Sequence, residues 1–309
     1  MMSRSTDALL KEAGFAVSEP CLSRPSCFDF AARKDERTIL IRLQEDITHL
    51  LPSNSRELRL VADSVSASSL LIGEKAREKP LEDDTVYSRY NVLAVTPKTF
   101  ENIVVRRIYP LVQAGPGGYY VEIDSEAIKQ KRQQLDLSAG AMAEIAGLSR
   151  RTLYGYERGM AKASVTAAYN LICTLGIPVA RSVDIFEKPP VRFKCFLTKA
   201  REALVRSKIL QKVFKRLARW NITPIKKAPF DFVIAVPEEN MRIIGGVTGE
   251  KEPELKRRVD EILSFSDVIQ AHPVLITESH RLLDEGITCI SSEELINIKK
   301  PEDLIKYSK

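Results

Sequence analysis

The side chains best equipped to do chemistry in this 309-residue chain are cations. Arg150 and Arg151 stand side by side directly after Ser149, where the apolar pattern begins a new helix. A second concentration runs from Arg192 through Lys194, Lys199, Arg201, Arg206, Lys208, Lys212, Lys215 and Arg216 to Arg219, opposed only by Glu202. The formal net charge is +6 and the isoelectric point about 9.0, a balance that favours a polyanionic partner. Metal and thiol chemistry find less support. Cys21, Cys27, Cys173, Cys195 and Cys289 form no CxxC pair, and His49, His272 and His280 are not spaced as zinc ligands near them. Free thiols, no metal and no cofactor are expected.

The elements that must hold Arg150 and Arg151 are legible between Lys129 and Pro178. Leu135, Leu137, Met142, Ile145 and Ala146 recur at helical spacing, and Leu148, Leu153, Tyr156, Leu171, Ile172 and Leu175 continue the stripe. This predicts a small all-helical core. Gly147 falls where a tight turn needs positive φ, and Ser149 follows as an N-cap. Two helices joined by a glycine turn, the second opening with long polar side chains, fit a helix-turn-helix whose second helix enters the DNA major groove. At 44% hydrophobic and 28% charged the chain is globular in composition. No apolar run approaches the roughly 18 residues of a membrane span, and a cytoplasmic protein without membrane contact is expected.

The segment resembles the phage-repressor (Cro/C1-type, or XRE) helix-turn-helix. The resemblance is carried by Lys129 with Arg132, Met142-Ala143, Gly147, Ser149 and Glu157-Arg158-Gly159. It implies a lambda-repressor-like domain in which Arg132 and Glu157 form a partly buried ion pair. It also implies base-edge contacts from Arg150, Arg151, Thr152 and Tyr154, and phosphate contacts from Arg158 and Lys162. Arginine suits the first task because its fork can bond guanine O6 and N7 together. Two positions depart from the pattern. Ala139-Gly140 replaces the polar start usual for the preceding helix, and Gly155 lies inside the recognition helix at a cost of about 1 kcal/mol relative to alanine.

Outside this segment the pattern is α/β. A helix is predicted from Asp7 to Gly14, strands at 15–17, 28–32 and 39–43, a helix at 55–67, strands at 70–72 and 92–95, and a helix opened by Pro97. Strand-like runs around Ala114 to Gly118 read as a hairpin connector. After Lys188-Pro189-Pro190 the same organisation recurs. Phe28-Asp29-Phe30 returns as Phe230-Asp231-Phe232, Ile39 to Leu43 as Met241 to Ile244, and the strand and capped helix of Val92 to Ile103 as Ile287 to Ile298.

A strand hairpin carrying one Asp between helices resembles the restriction-endonuclease-like fold. That family needs an Asp and then, on the next strand, Asp/Glu-x-Lys, so that two carboxylates hold Mg²⁺ and the lysine assists the attacking water. Asp29 and Asp231 could be the first acids. The second motif reads Arg42-Leu43-Gln44 in one copy and Ile244-Gly245-Gly246 in the other, so both flanks read as degenerate; Glu45 and Asp46 lie just beyond. The predicted division is 1–107 nuclease-like, 108–123 hairpin connector, 124–188 helix-turn-helix, and 189–309 basic helix plus second nuclease-like domain. Together with GGYYVEID and SRRTLYGYERG, the order resembles a family of archaeal HTH-type transcriptional regulators. The expected function is sequence-specific double-stranded DNA binding by a non-enzymatic, homodimeric regulator that reads the major groove with the helix from Arg150 to Arg158. The alternatives are an Mg²⁺-dependent nuclease or junction-binding enzyme, and an antitoxin-like or scaffolding protein.

Overall fold

The computed structural model describes residues 5–187, 208–217, 220, 222–236, 239, 241–249, 252–278, 286–298 and 300–306. Lys188-Pro189-Pro190, Arg192, Lys194, Lys199, Arg201, Arg206 and Arg219 lie outside them, as do Cys195 and His280. The chain forms two compact units. One comprises residues 1–44, 48–71 and 186–309, the other 45–47 and 72–185.

The first unit contains the N-terminal half as far as residue 71, apart from residues 45–47, together with the C-terminal half. In the N-terminal half, α1 (Thr6–Glu12) leads to β1 (Ala16–Val17) and the hairpin β2 (Phe30–Lys34) and β3 (Arg37–Leu43), followed by α2 (Pro52–Ser64) and β4 (Ser68–Ile72). Pro52 opens α2 three residues earlier than the apolar pattern suggests, since proline is pre-set for the first helical turn. In the C-terminal half, α8 (Lys208–Leu217) precedes β13 (Ile222–Pro224), β14 (Phe232–Val236), β15 (Met241–Val247), α9 (Leu255–Ile269), β16 (His272–Thr277) and β17 (Thr288–Ser291). These strands form one sheet in chain order, antiparallel through β15 and parallel from there.

The repeat is real, but its register differs from the sequence alignment by two residues. Asp29 N–H donates to Ile41 O and its Oδ2 accepts from Leu43 N–H; Asp231 N–H donates to Gly245 O and its Oδ2 accepts from Val247 N–H. Ile39 to Leu43 therefore corresponds to Ile243 to Val247. A slip of two leaves every side chain on the same face of a strand, so apolar alternation cannot detect it. A Cβ on Gly245 would stand 1.9 Å from Phe232 Cζ, so the close packing of this hairpin requires glycine there. The second correction concerns Ile287 to Ile298. Where the first half has a ten-residue helix, Ser291 and Glu294 form a capping box that starts only a 3-10 turn, Glu294–Asn297. Ile298 is already extended, and Pro301 follows.

The two halves interlock. Phe28 and Phe230, which are equivalent in the repeat, lie 6.4 Å apart, and Phe265 packs on both at 5.3 and 4.8 Å. Glu261 of α9 accepts the N–H groups of Leu22 and Ser23, and Glu57 of α2 accepts that of Lys226. Each helix thus binds a loop of the other half, as two subunits of a symmetric dimer would.

In the second unit, β5 (Lys75–Ala76) and β6 (Lys79–Pro80) form a small ladder. A strand not evident from the sequence, β7 (Thr85–Arg89), pairs with β8 (Val92–Val95) through Tyr90 and Asn91, both at positive φ. α3 (Pro97–Arg106) is capped by Thr96. The hairpin β9 (Val112–Gly115) and β10 (Gly118–Ile123) joins β7 on one side; on the other, β10 pairs with β11 (Ala163–Ser164) and β12 (Ala180–Arg181). It is therefore a platform continuous with the helical bundle. That bundle consists of α4 (Ser125–Gln134), α5 (Ala139–Ile145), α6 (Arg150–Glu157) and α7 (Val165–Leu175), capped by Asp124, Ser138, Ser149 and Ser164. Ile128, Met142, Ala143, Leu153, Tyr156, Leu171 and Leu175 fill its core together with Val121 of β10. Leu135 and Ile145 are exposed, contrary to their place in the apolar stripe. Met142, Ala143 and Ala146 define the inward face of α5, and Ile145 points roughly 100° away from it.

Candidate nucleic-acid interface

The recognition helix α6 starts at the Ser149 cap. Ser149 Oγ accepts Thr152 N–H at 3.0 Å and lies 2.8 Å from Thr152 Oγ1, so Thr152 is engaged in closing the helix end. Gly147, at φ 65°, makes the preceding turn in a conformation that a side chain would strain. Arg150 and Arg151 are exposed, and among the described residues neither has a hydrogen-bond or ion-pair partner. Two guanidiniums at one helix start, with their donors unspent, can serve an external acceptor.

The other end of α6 is pinned. Arg132 Nε donates to Glu157 Oε1 at 2.5 Å and Nη2 to Oε2 at 3.1 Å, with both side chains about 14% exposed or less. Arg132 Nη1 also donates to Leu137 O at 2.9 Å, so one side chain joins α4, the turn after it and α6. The hydrogen bond that Arg132 donates to Glu157 raises the Arg132 pKa further, against burial, which would lower it. Tyr154 is half exposed and carries the Arg158 guanidinium 4.3 Å above its ring. Lys162 donates to Gln113 Oε1 and lies 3.8 Å from Glu122 Oε2, so the hairpin platform holds it.

The acids of the nuclease-like halves are also occupied. Arg42 Nη1 lies 3.0 Å from Asp29 Oδ1. In the other half, Arg258 is buried and donates to Asp231 at 2.5 Å, to Glu252 at 2.8 Å, and to the carbonyls of Pro229 and Val247. Arg24 joins the same two carboxylates at 3.0 and 2.6 Å. Burial acts to raise the Glu252 carboxyl, but Arg258 and Arg24 outweigh it and leave it below the usual range. Sequence reading missed Arg24, Glu252 and Arg258, because nothing in their spacing shows that they meet. Glu45, near the expected motif, is paired with Lys75 at 2.6 Å.

Two family models match separate parts of the chain. Residues 128–181 match a helix-turn-helix family and residues 2–110 match a PD-(D/E)XK superfamily domain. Proteins bearing the name "Putative HTH-type transcriptional regulatory protein" match along nearly their whole length. The one from Archaeoglobus fulgidus is 31% identical over 97% of this chain and 94% of its own, and the one from Methanocaldococcus jannaschii is 32% identical over 97% and 93%. That from Methanosarcina acetivorans is 30% identical over 97% and 93%. The chain belongs to this family of archaeal HTH-type regulatory proteins. Its fold is mixed α/β, with a helix-turn-helix domain and a PD-(D/E)XK domain.

For this regulatory-protein family member, the superfamily match raises the question of a divalent metal. The residues present do not fit one. The cation-binding position beside Asp29 is taken by Arg42, which itself stands where the second acid is required, and Gln44 stands in place of the lysine. In the second half the register places Gly246, Val247 and Thr248 at those positions, again without acid or lysine. A guanidinium in contact with each carboxylate supplies the positive charge locally and repels a cation.

Proposed function

We propose that this protein is a sequence-specific transcriptional regulator that binds double-stranded DNA through α6, with Arg150 and Arg151 on base edges and Arg158 on phosphate. The observation carrying this reading is the pair of exposed guanidiniums, without a partner among the described residues, at the start of a helix pinned at its other end by Arg132 and Glu157. Thr152 and Tyr154 are the further base contacts, reached once the Arg158 guanidinium lifts from the tyrosine ring; Lys162 contacts phosphate by exchanging Gln113 for it. The functional division follows 1–107, 108–123, 124–188 and 189–309, with the DNA-reading segment third. The protein acts as a homodimer in the cytoplasm, since one helix-turn-helix covers a single major-groove face and paired half-sites need two. Among the described residues no helix is long and apolar enough to cross a membrane.

The nuclease-like halves are not hydrolytic in this reading, because arginines occupy the acids that would bind Mg²⁺. Incubation with Mg²⁺ or Mn²⁺ and duplex, branched or single-stranded DNA is expected to leave every substrate intact. Cleavage abolished by Asp29→Ala or Asp231→Ala would overturn that part. The DNA reading is tested by selecting sites from random duplexes and then measuring binding at several salt concentrations on the selected and a scrambled duplex. Arg151→Ala should lose about 1–3 kcal/mol on the selected duplex only, while Arg158→Ala should weaken both alike and flatten the salt slope. No loss in either variant would mean that α6 faces protein.

A further inference from the structure

Gly140 has no backbone reason to be glycine. It is the second residue of α5, lies outside the left-handed region, and in a helix costs about 1 kcal/mol relative to alanine. A side chain there would meet Arg150. A Cβ at position 140 would stand 2.9 Å from both Nε and Nη2 of Arg150 and 3.0 Å from its Cζ. The guanidinium therefore occupies the space that a side chain at position 140 would take. Charge does not draw it there, since the N-terminal end of a helix carries positive partial charge. The donor fork has no hydrogen-bond or ion-pair partner among the described residues. This placement is open to the Arg150 guanidinium because position 140 lacks a Cβ, and a side chain already in its bound placement loses less entropy on binding.

We propose that Gly140 is a specificity-determining positioning residue. By lacking a side chain it seats the Arg150 guanidinium against α5, in the place from which that arginine reads a base edge. This rests on the DNA-reading role of α6 proposed above. It also accounts for the departure at Ala139-Gly140: the preceding helix contributes a seat where a polar side chain is usual.

Gly140→Ala separates this role from a structural one, because helix propensity and Arg150 placement move in opposite directions. The wild type, Gly140→Ala, Arg150→Ala and the double variant, each as the full chain, are melted thermally and titrated onto the selected and scrambled duplexes. The expected result for Gly140→Ala is a melting temperature equal to or above wild type. Its preference for the selected duplex should fall about tenfold, with binding to the scrambled duplex unchanged. In the Arg150→Ala background, Gly140→Ala should change the preference no further. Retained preference in Gly140→Ala, or an equal loss in both backgrounds, overturns the proposal while leaving the regulator reading intact. A wild-type chain that does not discriminate between the duplexes overturns that reading and this inference with it.

Discussion

At the scale of single residues, Arg132 shows how one side chain can hold a reading head in place. Its guanidinium spends three donors on Glu157 and the Leu137 carbonyl, and the resulting pair is largely withdrawn from water. Because Glu157 raises the Arg132 pKa, and arginine is protonated throughout the accessible pH range, removing the acid leaves a charge behind. Glu157→Ala is therefore expected to lower stability by about 3–5 kcal/mol, measured as a shift in the urea midpoint. The double variant Arg132→Leu with Glu157→Leu should recover most of that loss, because the cost lies in the orphaned charge more than in the missing attraction. A single variant as stable as wild type would show that the pair is solvated.

At the scale of elements, α9 is anchored by a buried guanidinium in the second nuclease-like half. Arg258 links α9 to Asp231 at the entrance of β14, to Glu252 before the helix, and to the carbonyls of Pro229 and Val247. The Glu252 carboxyl sits below its ordinary pKa in the folded chain, so the unfolded chain binds its proton first as pH falls. Its contribution is full above about pH 4.3, the unfolded value, and is lost as pH drops through the lower folded value. Melting temperatures from pH 6 to pH 3 (roughly the carboxylate range) should fall for the wild type below that point. Glu252→Gln should start lower and show a shallower acid limb. Parallel curves would place the acid sensitivity in other carboxylates.

At the scale of the whole molecule, the two nuclease-like halves of the first unit behave as subunits joined in one chain. The repeat-related Phe28 and Phe230 meet with Phe265, and Glu57 and Glu261 each accept backbone N–H groups of the other half. The halves should therefore unfold together. Trp220, the only tryptophan of the chain, packs against the core of the C-terminal half and reports on it. Phe28→Ala, a change in the N-terminal half, is expected to cost about 3–5 kcal/mol and to shift the Trp220 fluorescence transition by the same amount as the circular-dichroism transition. A Trp220 transition that stays at the wild-type midpoint would show the halves to be independent.

Local chemistry alone determined the helix-turn-helix. Gly147, Ser149 and the helical spacing of Leu153 with Tyr156 and of Leu171 with Leu175 act within one or two turns of their own helices, so the sequence carries them directly. The same holds for the duplicated strands and for the absence of an acid-x-lysine motif, since a missing residue type is visible without any contact. Only the tertiary structure decided what occupies the acids. Arg24, Glu252 and Arg258 are separated by up to 234 positions from one another and converge because α9 crosses onto the other half. It also decided the register of β15, where a two-residue slip leaves the apolar alternation unchanged, and the exposure of Ile145, which depends on the face of α5 that the bundle buries. The seat under Arg150 belongs to this second class. Gly140 and Arg150 lie ten positions apart on different helices, and what one lacks matters only where the fold lays the other's side chain across it.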